Sequence, residues 1–167
     1  MDRVSYYSFV IIAMVLSLPI ISHFLRRSPR LLKWSNYIIL AVYLFANLYL
    51  TLFSRGIDTH NQVRLTPFWS YVKMLDSPRL REEIILNIYL YIPFGYLMHY
   101  AFPKLKWRTV FFCGVALSCL TELTQLVLGL GWCEVDDVIS NSLGTLIGIG
   151  MYKGYKILVR QSIEKTD

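Results

Sequence analysis

Residues 119–150 read CLTELTQLVLGLGWCEVDDVISNSLGTLIGIG, and this stretch decides how the rest of the chain is understood. Glu122 and Gln125 stand three residues apart in an apolar run, so a helix would put them on one face. A short acidic turn with Glu134, Asp136 and Asp137 follows, and Asn141 with a glycine-rich apolar run then opens another helix. An ionisable side chain near the middle of a bilayer costs about 2–4 kcal/mol on insertion scales, which marks it as a functional candidate. Everything else reads as the frame that holds this face.

The surrounding composition belongs to a membrane protein. Of 167 residues, 55% are hydrophobic and 17% charged, whereas a soluble domain carries about a quarter charged residues. The net charge of +6 does not point to nucleic acid, because the basic residues lie mostly at the ends of apolar runs. Cys113, Cys119 and Cys133 are odd in number and lack metal-ligand spacing, so neither a disulfide framework nor a thiolate site is indicated. His23, His60 and His99 pair with no carboxylate at ligand spacing. No nucleophile elbow accompanies the serines, so triad hydrolysis is unsupported.

The apolar runs predict an all-α polytopic membrane bundle of five spans, one domain over 1–167, with spans near 4–25, 36–54, 84–102, 109–129 and 137–158. The first run lacks a small-residue cleavage site and reads as an uncleaved span. Pro19 in the first span and Pro93-Phe94-Gly95 in the third are expected to bend them. A connector, 55–82, contains Thr66-Pro67, which resembles a capped helix start. Phe68, Trp69, Val72 and Leu75 would then share one face, giving either a short interfacial helix or an irregular loop with aromatic anchors. With the N-terminus outside and the C-terminus inside, eleven of the seventeen Lys and Arg residues fall on the cytoplasmic side. That orientation gathers Asn87, Glu122, Asp136, Asp137 and Asn141 on an outward-facing surface.

Each constellation has two readings. Glu122 with Gln125 is either an intramembrane acid or ligand handle, or interhelical hydrogen-bonding glue. Asp136 and Asp137 with Asn141 would hold a divalent cation, meet a cationic ligand group, or simply cap a helix N-terminus. Gly144 and Gly148 form a small-residue stripe suited to close helix packing, within the chain or against a helix partner. Arg55 and Arg64 are candidates to bind phosphate or to pair with the acidic turn.

Leu65-Thr66-Pro67-Phe68, Asn87 with Pro93-Phe94-Gly95, Glu122 with Gln125, and Val135-Asp136-Asp137 with Asn141 and Gly144 together resemble the VanZ-like membrane family over roughly 36–155. The resemblance implies a multi-pass protein of the bacterial plasma membrane, in a Gram-positive envelope, that lowers susceptibility to the glycopeptide teicoplanin without altering the peptidoglycan precursor terminus. The matching positions are Arg55, Arg64, Pro67, Phe68, Asn87, Pro93, Gly95, Glu122, Gln125, Asp136, Asp137, Asn141 and Gly144, and of these Arg55, Arg64, Asn87, Glu122, Gln125, Asp136, Asp137 and Asn141 are read as the ligand-binding candidates. The expected partners are membrane lipids and a glycopeptide or lipid-linked cell-wall intermediate. Two functions stay open: a binder that shields an amphipathic ligand, or an intramembrane enzyme using Glu122 as acid/base with a cation on Asp136 and Asp137. One departure stands out. Many relatives carry an arginine shortly before the paired acids, where this chain has Gly129-Leu130-Gly131-Trp132-Cys133-Glu134. Asp136 or Glu122 would then need another partner, with Arg55 and Arg64 as the candidates.

Overall fold

The computed structural model describes residues 29–53 and 62–164, with side chains at 34–52 and 62–158. The predicted first span, His23, His60 and Arg55 lie outside them. In chain order the elements are α1 (Pro29–Leu48), a π-helical turn (Tyr49–Phe53), β1 (Val63–Arg64), α2 (Trp69–Lys73), α3 (Pro78–Ala101), α4 (Trp107–Leu128), β2 (Cys133–Glu134) and α5 (Val135–Glu164). The two strands, two residues each, pair in parallel with Val63 opposite Cys133 and Arg64 opposite Glu134.

Local chemistry sets the helix ends. Ser77 caps α3, its Oγ accepting from Leu80 N, and Pro78 occupies the first turn, where a missing N–H costs nothing. α3 runs unbroken through Pro93, and stops before Phe102-Pro103, since a residue preceding proline favours extended backbone. α4 ends at Gly129, whose φ of 70° is a conformation glycine adopts without strain. Leu130 N then bonds back to Gln125 O at 2.9 Å.

Three helical segments are long and apolar enough to cross a membrane, Trp34–Leu52, Pro78–Ala101 and Trp107–Leu128, and they coincide with the predicted second, third and fourth spans. α3 starts six residues earlier than the sequence suggested, and α1 already includes Arg30 and Lys33. The predicted fifth span lies within α5, which starts earlier, at Val135, so Asp136 and Asp137 occupy its first turn rather than a loop. α5 is not among the three apolar segments. It carries a stripe of Asp136, Ser140, Asn141, Gly144, Thr145, Gly148 and Ile149 that is buried against its neighbours.

The burial pattern is inverted relative to a water-soluble protein. Asn47, Thr51, Ser118, Thr121, Gln125, Ser140, Asn141 and Thr145 are buried, while Ile38, Val42, Phe45, Phe112, Leu120, Leu123 and Val127 face outward. Such a surface suits hydrocarbon, where helices associate through small and hydrogen-bonding side chains rather than apolar burial. The hydroxyls are satisfied cheaply: Thr51, Thr121, Ser140 and Thr145 each donate to the carbonyl four residues earlier.

α3 and α5 run parallel in close contact. A Cβ at Gly144 would meet the Ile88 carbonyl oxygen, one at Gly148 the Ile92 carbonyl oxygen, and one at Gly95 the Thr145 carbonyl oxygen. The expected small-residue packing is therefore made within the chain, between α3 and α5. α4 closes on the same helix, with Gly114 against the Thr145 side chain. α1 lies along α3, where Leu40 and Tyr43 join Phe94, Tyr96, Leu97 and Ala101 in the apolar core.

Candidate functional site

The connector is fastened to the start of α5 by side chains from both. After the two-residue pairing of β1 with β2, the chain turns at Phe68, which has a φ of 62°, an uncommon value for an aromatic residue. That turn aims two backbone N–H groups at one carboxylate. Asp136 accepts from Phe68 N at 2.6 Å and from Ser70 N at 2.7 Å. Thr66 does not cap α2, as its position before Pro67 suggested; the N-cap residue is Phe68, and Asp136, from a distant helix, supplies the acceptor. Charge-assisted bonds to two N–H groups are strong, and their geometry fixes the carboxylate.

Arg64 forms the second fastening. Its guanidinium lies 3.7 Å from the Trp69 ring centroid and 4.2 Å from that of Trp132, a cation held between two indoles. The same group meets Glu134 Oε1 at 3.2 Å, and Ser70 Oγ donates to Glu134 Oε2 at 3.2 Å. Of the pairings suggested by the missing arginine, Arg64 therefore takes Glu134, rather than Glu122 or Asp136. Tyr71 OH and Ser140 Oγ stand 2.7 Å apart, adding a third tie between connector and α5.

Beneath these ties lie the polar residues of the bundle. Glu122, 3% exposed, accepts from Glu134 N at 3.0 Å, so the acid inside α4 supports the strand that holds Arg64. Asn141 Nδ2 donates to Ser118 Oγ at 2.8 Å, and Gln125 Nε2 to Thr51 O at 2.9 Å. Nearby, Tyr43 OH donates to Leu90 O at 2.8 Å, in the turn before Pro93, and accepts from Asn47 Nδ2 at 3.1 Å. The carbonyl oxygens of the Asn47, Gln125 and Asn141 side chains are buried and bonded to none of the described residues. The Tyr91 hydroxyl, beside Ser118 and Thr121, makes no bond of good geometry among them. These groups can accept a donating guest or water.

The predicted site residues thus divide. Arg64, Glu122 and Asp136 enter one continuous network with Glu134. Gln125 and Asn141 lie deeper in the bundle, on α4 and α5. Asp137 sits half-buried in the first turn of α5, and half-buried Asn87 on α3 takes no part in the bonds just described. Sequence reading overlooked the parts played by Trp69, Ser70, Tyr71 and Trp132, since Trp132 lies 68 residues beyond Arg64 and only the fold brings it to the guanidinium. Among the described residues no three His, Cys, Asp or Glu side chains are grouped to hold a metal ion. Both Asp136 oxygens are already engaged by N–H groups. Burial pushes the Cys133 thiol above its ordinary value, reinforced by the Glu122 carboxylate.

Comparison with known proteins fits this arrangement. The sequence profile described as VanZ/LLP1 matches residues 38–159, from α1 through most of α5. The chain belongs to the VanZ/LLP1 family. It is 28% identical over 121 residues to Protein VanZ of Enterococcus faecium, covering 68% of this chain and 71% of that protein. No solved structure matches it. The family match takes in both strands and every described helix end that builds the network, so the polar hub lies inside the family region.

Proposed function

We propose that this protein is a multi-pass component of the bacterial plasma membrane that lowers susceptibility to teicoplanin-type glycopeptides by holding an amphipathic ligand at the outer leaflet. Five spans, with the N-terminus outside and the C-terminus inside, put the Arg64–Glu134–Asp136 hub at the outer surface. One observation carries the reading. Asp136 and Arg64 pin the connector over buried polar groups while Val63, Leu65, Phe68, Val72 and Leu75 remain exposed. That apolar fringe would meet the acyl part of the ligand, and the polar groups beside it the hydrogen-bonding part.

The network also tells which groups are available. Asp136 is occupied as a cap, so it positions the connector. Asn141 and Gln125 present carbonyl oxygens with no described partner, and these would receive donors from the ligand. The experiment is teicoplanin susceptibility of a sensitive host carrying the wild type, Glu122→Gln, or Asn141→Leu, at matched membrane abundance. Protection by the wild type that falls to host level in both variants is the expected result. Equal protection by all three would make these residues packing elements and remove the binding role. No protection by the wild type would remove the resistance reading.

A further inference from the structure

At the end of the bundle opposite Asp136, α3, α4 and α5 bring together a different set of groups. Trp107 opens α4, and two cations from different helices flank its ring: Arg108 Cζ and Lys153 Nζ, each 5.5 Å from the centroid. One residue from Lys153, Tyr152 stacks on His99 of α3, with centroids 5.3 Å apart and planes 6° from parallel. His99 is 6% exposed, and both ring nitrogens are buried without a hydrogen-bond partner among the described residues. A buried imidazole in that condition costs stability unless a ligand or water meets it.

Among the described side chains the charge there is of one sign. The sequence holds no acidic residue from Ile84 to Thr121 or from Val138 to Ile163, while Lys104, Lys106, Arg108, Lys153 and Lys156 all fall in those stretches. Phe112, one turn beyond Arg108 on α4, is 65% exposed. We infer that Arg108, Lys153 and Trp107 form a headgroup site for an anionic phospholipid, its acyl chain lying along Phe112. The guanidinium and ammonium groups would meet the phosphodiester, and the indole would sit at headgroup depth. A free phosphate would have no use for the outward-facing Phe112. The inference rests on the chain's spanning a membrane and not on the antibiotic reading.

The test is native mass spectrometry of the full chain in mild detergent, titrated with dioleoylphosphatidylglycerol or dioleoylphosphatidylcholine. The expected result is preferential retention of the phosphatidylglycerol, weakened about tenfold in Arg108→Gln/Lys153→Gln. Lys104→Gln/Lys106→Gln removes the same charge from the neighbouring turn and should weaken retention far less. Trp107→Leu removes the exposed indole, keeps both cations, and should also weaken it, giving a second route if the double variant does not fold. Equal retention of the two lipids by the wild type would overturn the proposal. So would equal losses in the two double variants, which would signify a diffuse basic collar. Displacement of the lipid by millimolar glycerol 3-phosphate would assign the site to soluble phosphates and overturn the lipid assignment.

Discussion

The two ends of the bundle handle buried polarity in opposite ways. At one end, Asp136, Glu134, Glu122 and Arg64 are tied into a network in which carboxylates meet N–H groups, a hydroxyl or a guanidinium. At the other, tyrosines dominate: Tyr96 packs on Tyr100 and Tyr152, Tyr152 stacks on His99, and cations gather around Trp107. The first end spends its charges on internal structure, holding a connector that would otherwise carry unpaired backbone groups. The second keeps its charges of one sign facing outward. An end whose charges are internally matched positions things; an end whose charges are unmatched attracts them.

The largest predicted effect breaks both ends together. α5 reaches each of them, and its alignment on α3 depends on Gly148, where any side chain would strike the Ile92 carbonyl oxygen. Gly148→Leu must push the helices apart, with a cost at or above the usual overpacking range of about 1–3 kcal/mol. Thermal unfolding in detergent, followed by tryptophan fluorescence, should show a lower and broader transition. An unchanged transition would mean that α3 and α5 do not meet through this stripe.

A smaller, local effect separates the ends. Asp136→Asn removes the charge that the Phe68 and Ser70 N–H groups share, a loss of about 1.5–3 kcal/mol for hydrogen bonds to a charged group. Hydrogen exchange should rise in residues 68–73 and stay at wild-type rates around Tyr152. Faster exchange at both ends would show that they are one cooperative unit, and the contrast drawn above would fail.

How much of this was legible in the sequence follows from the range of the interactions. Hydropathy located α1, α3 and α4 because their outward faces are long and apolar, and the Gly144/Gly148 spacing announced a close helix contact. The fifth expected span falls in α5, which is not among the three segments apolar enough to cross a membrane, since its Ser140, Asn141 and Thr145 lower its hydropathy while facing neighbouring helices. The pinned connector was invisible. The bond from Ser70 N to Asp136 joins residues 66 apart, and a backbone N–H leaves no trace in a residue pattern. For the same reason Thr66-Pro67 suggested a local cap where a distant carboxylate does the capping. Glu122 stood out as an ionisable residue in an apolar run, yet its bond to Glu134 N depends on the tight Gly129–Gly131 turn, whose geometry spacing alone does not fix.

The smallest effect concerns Cys133, which lies between the buried Glu122 and the exposed surface. Its thiol is pushed up by burial first and by the Glu122 carboxylate next, so less thiolate is present at any pH below its midpoint than in an ordinary cysteine. The thiolate is the species that reacts with a maleimide. In a variant without Cys113 and Cys119, which are exposed on α4, Cys133 should therefore label slowly at neutral pH. Its rate should keep climbing after that of an exposed thiol, such as one placed by Lys104→Cys, has levelled off near the ordinary midpoint of about 8.5. Adding Glu122→Gln removes a nearby negative charge and should move the Cys133 profile to lower pH, leaving the Lys104→Cys profile where it was. A profile insensitive to Glu122→Gln would place the carboxylate too far from the turn to support it. With an impermeant reagent on intact cells, labelling at Cys133 but not at Lys104→Cys would put the acidic end outside, and the reverse would invert the protein in its membrane.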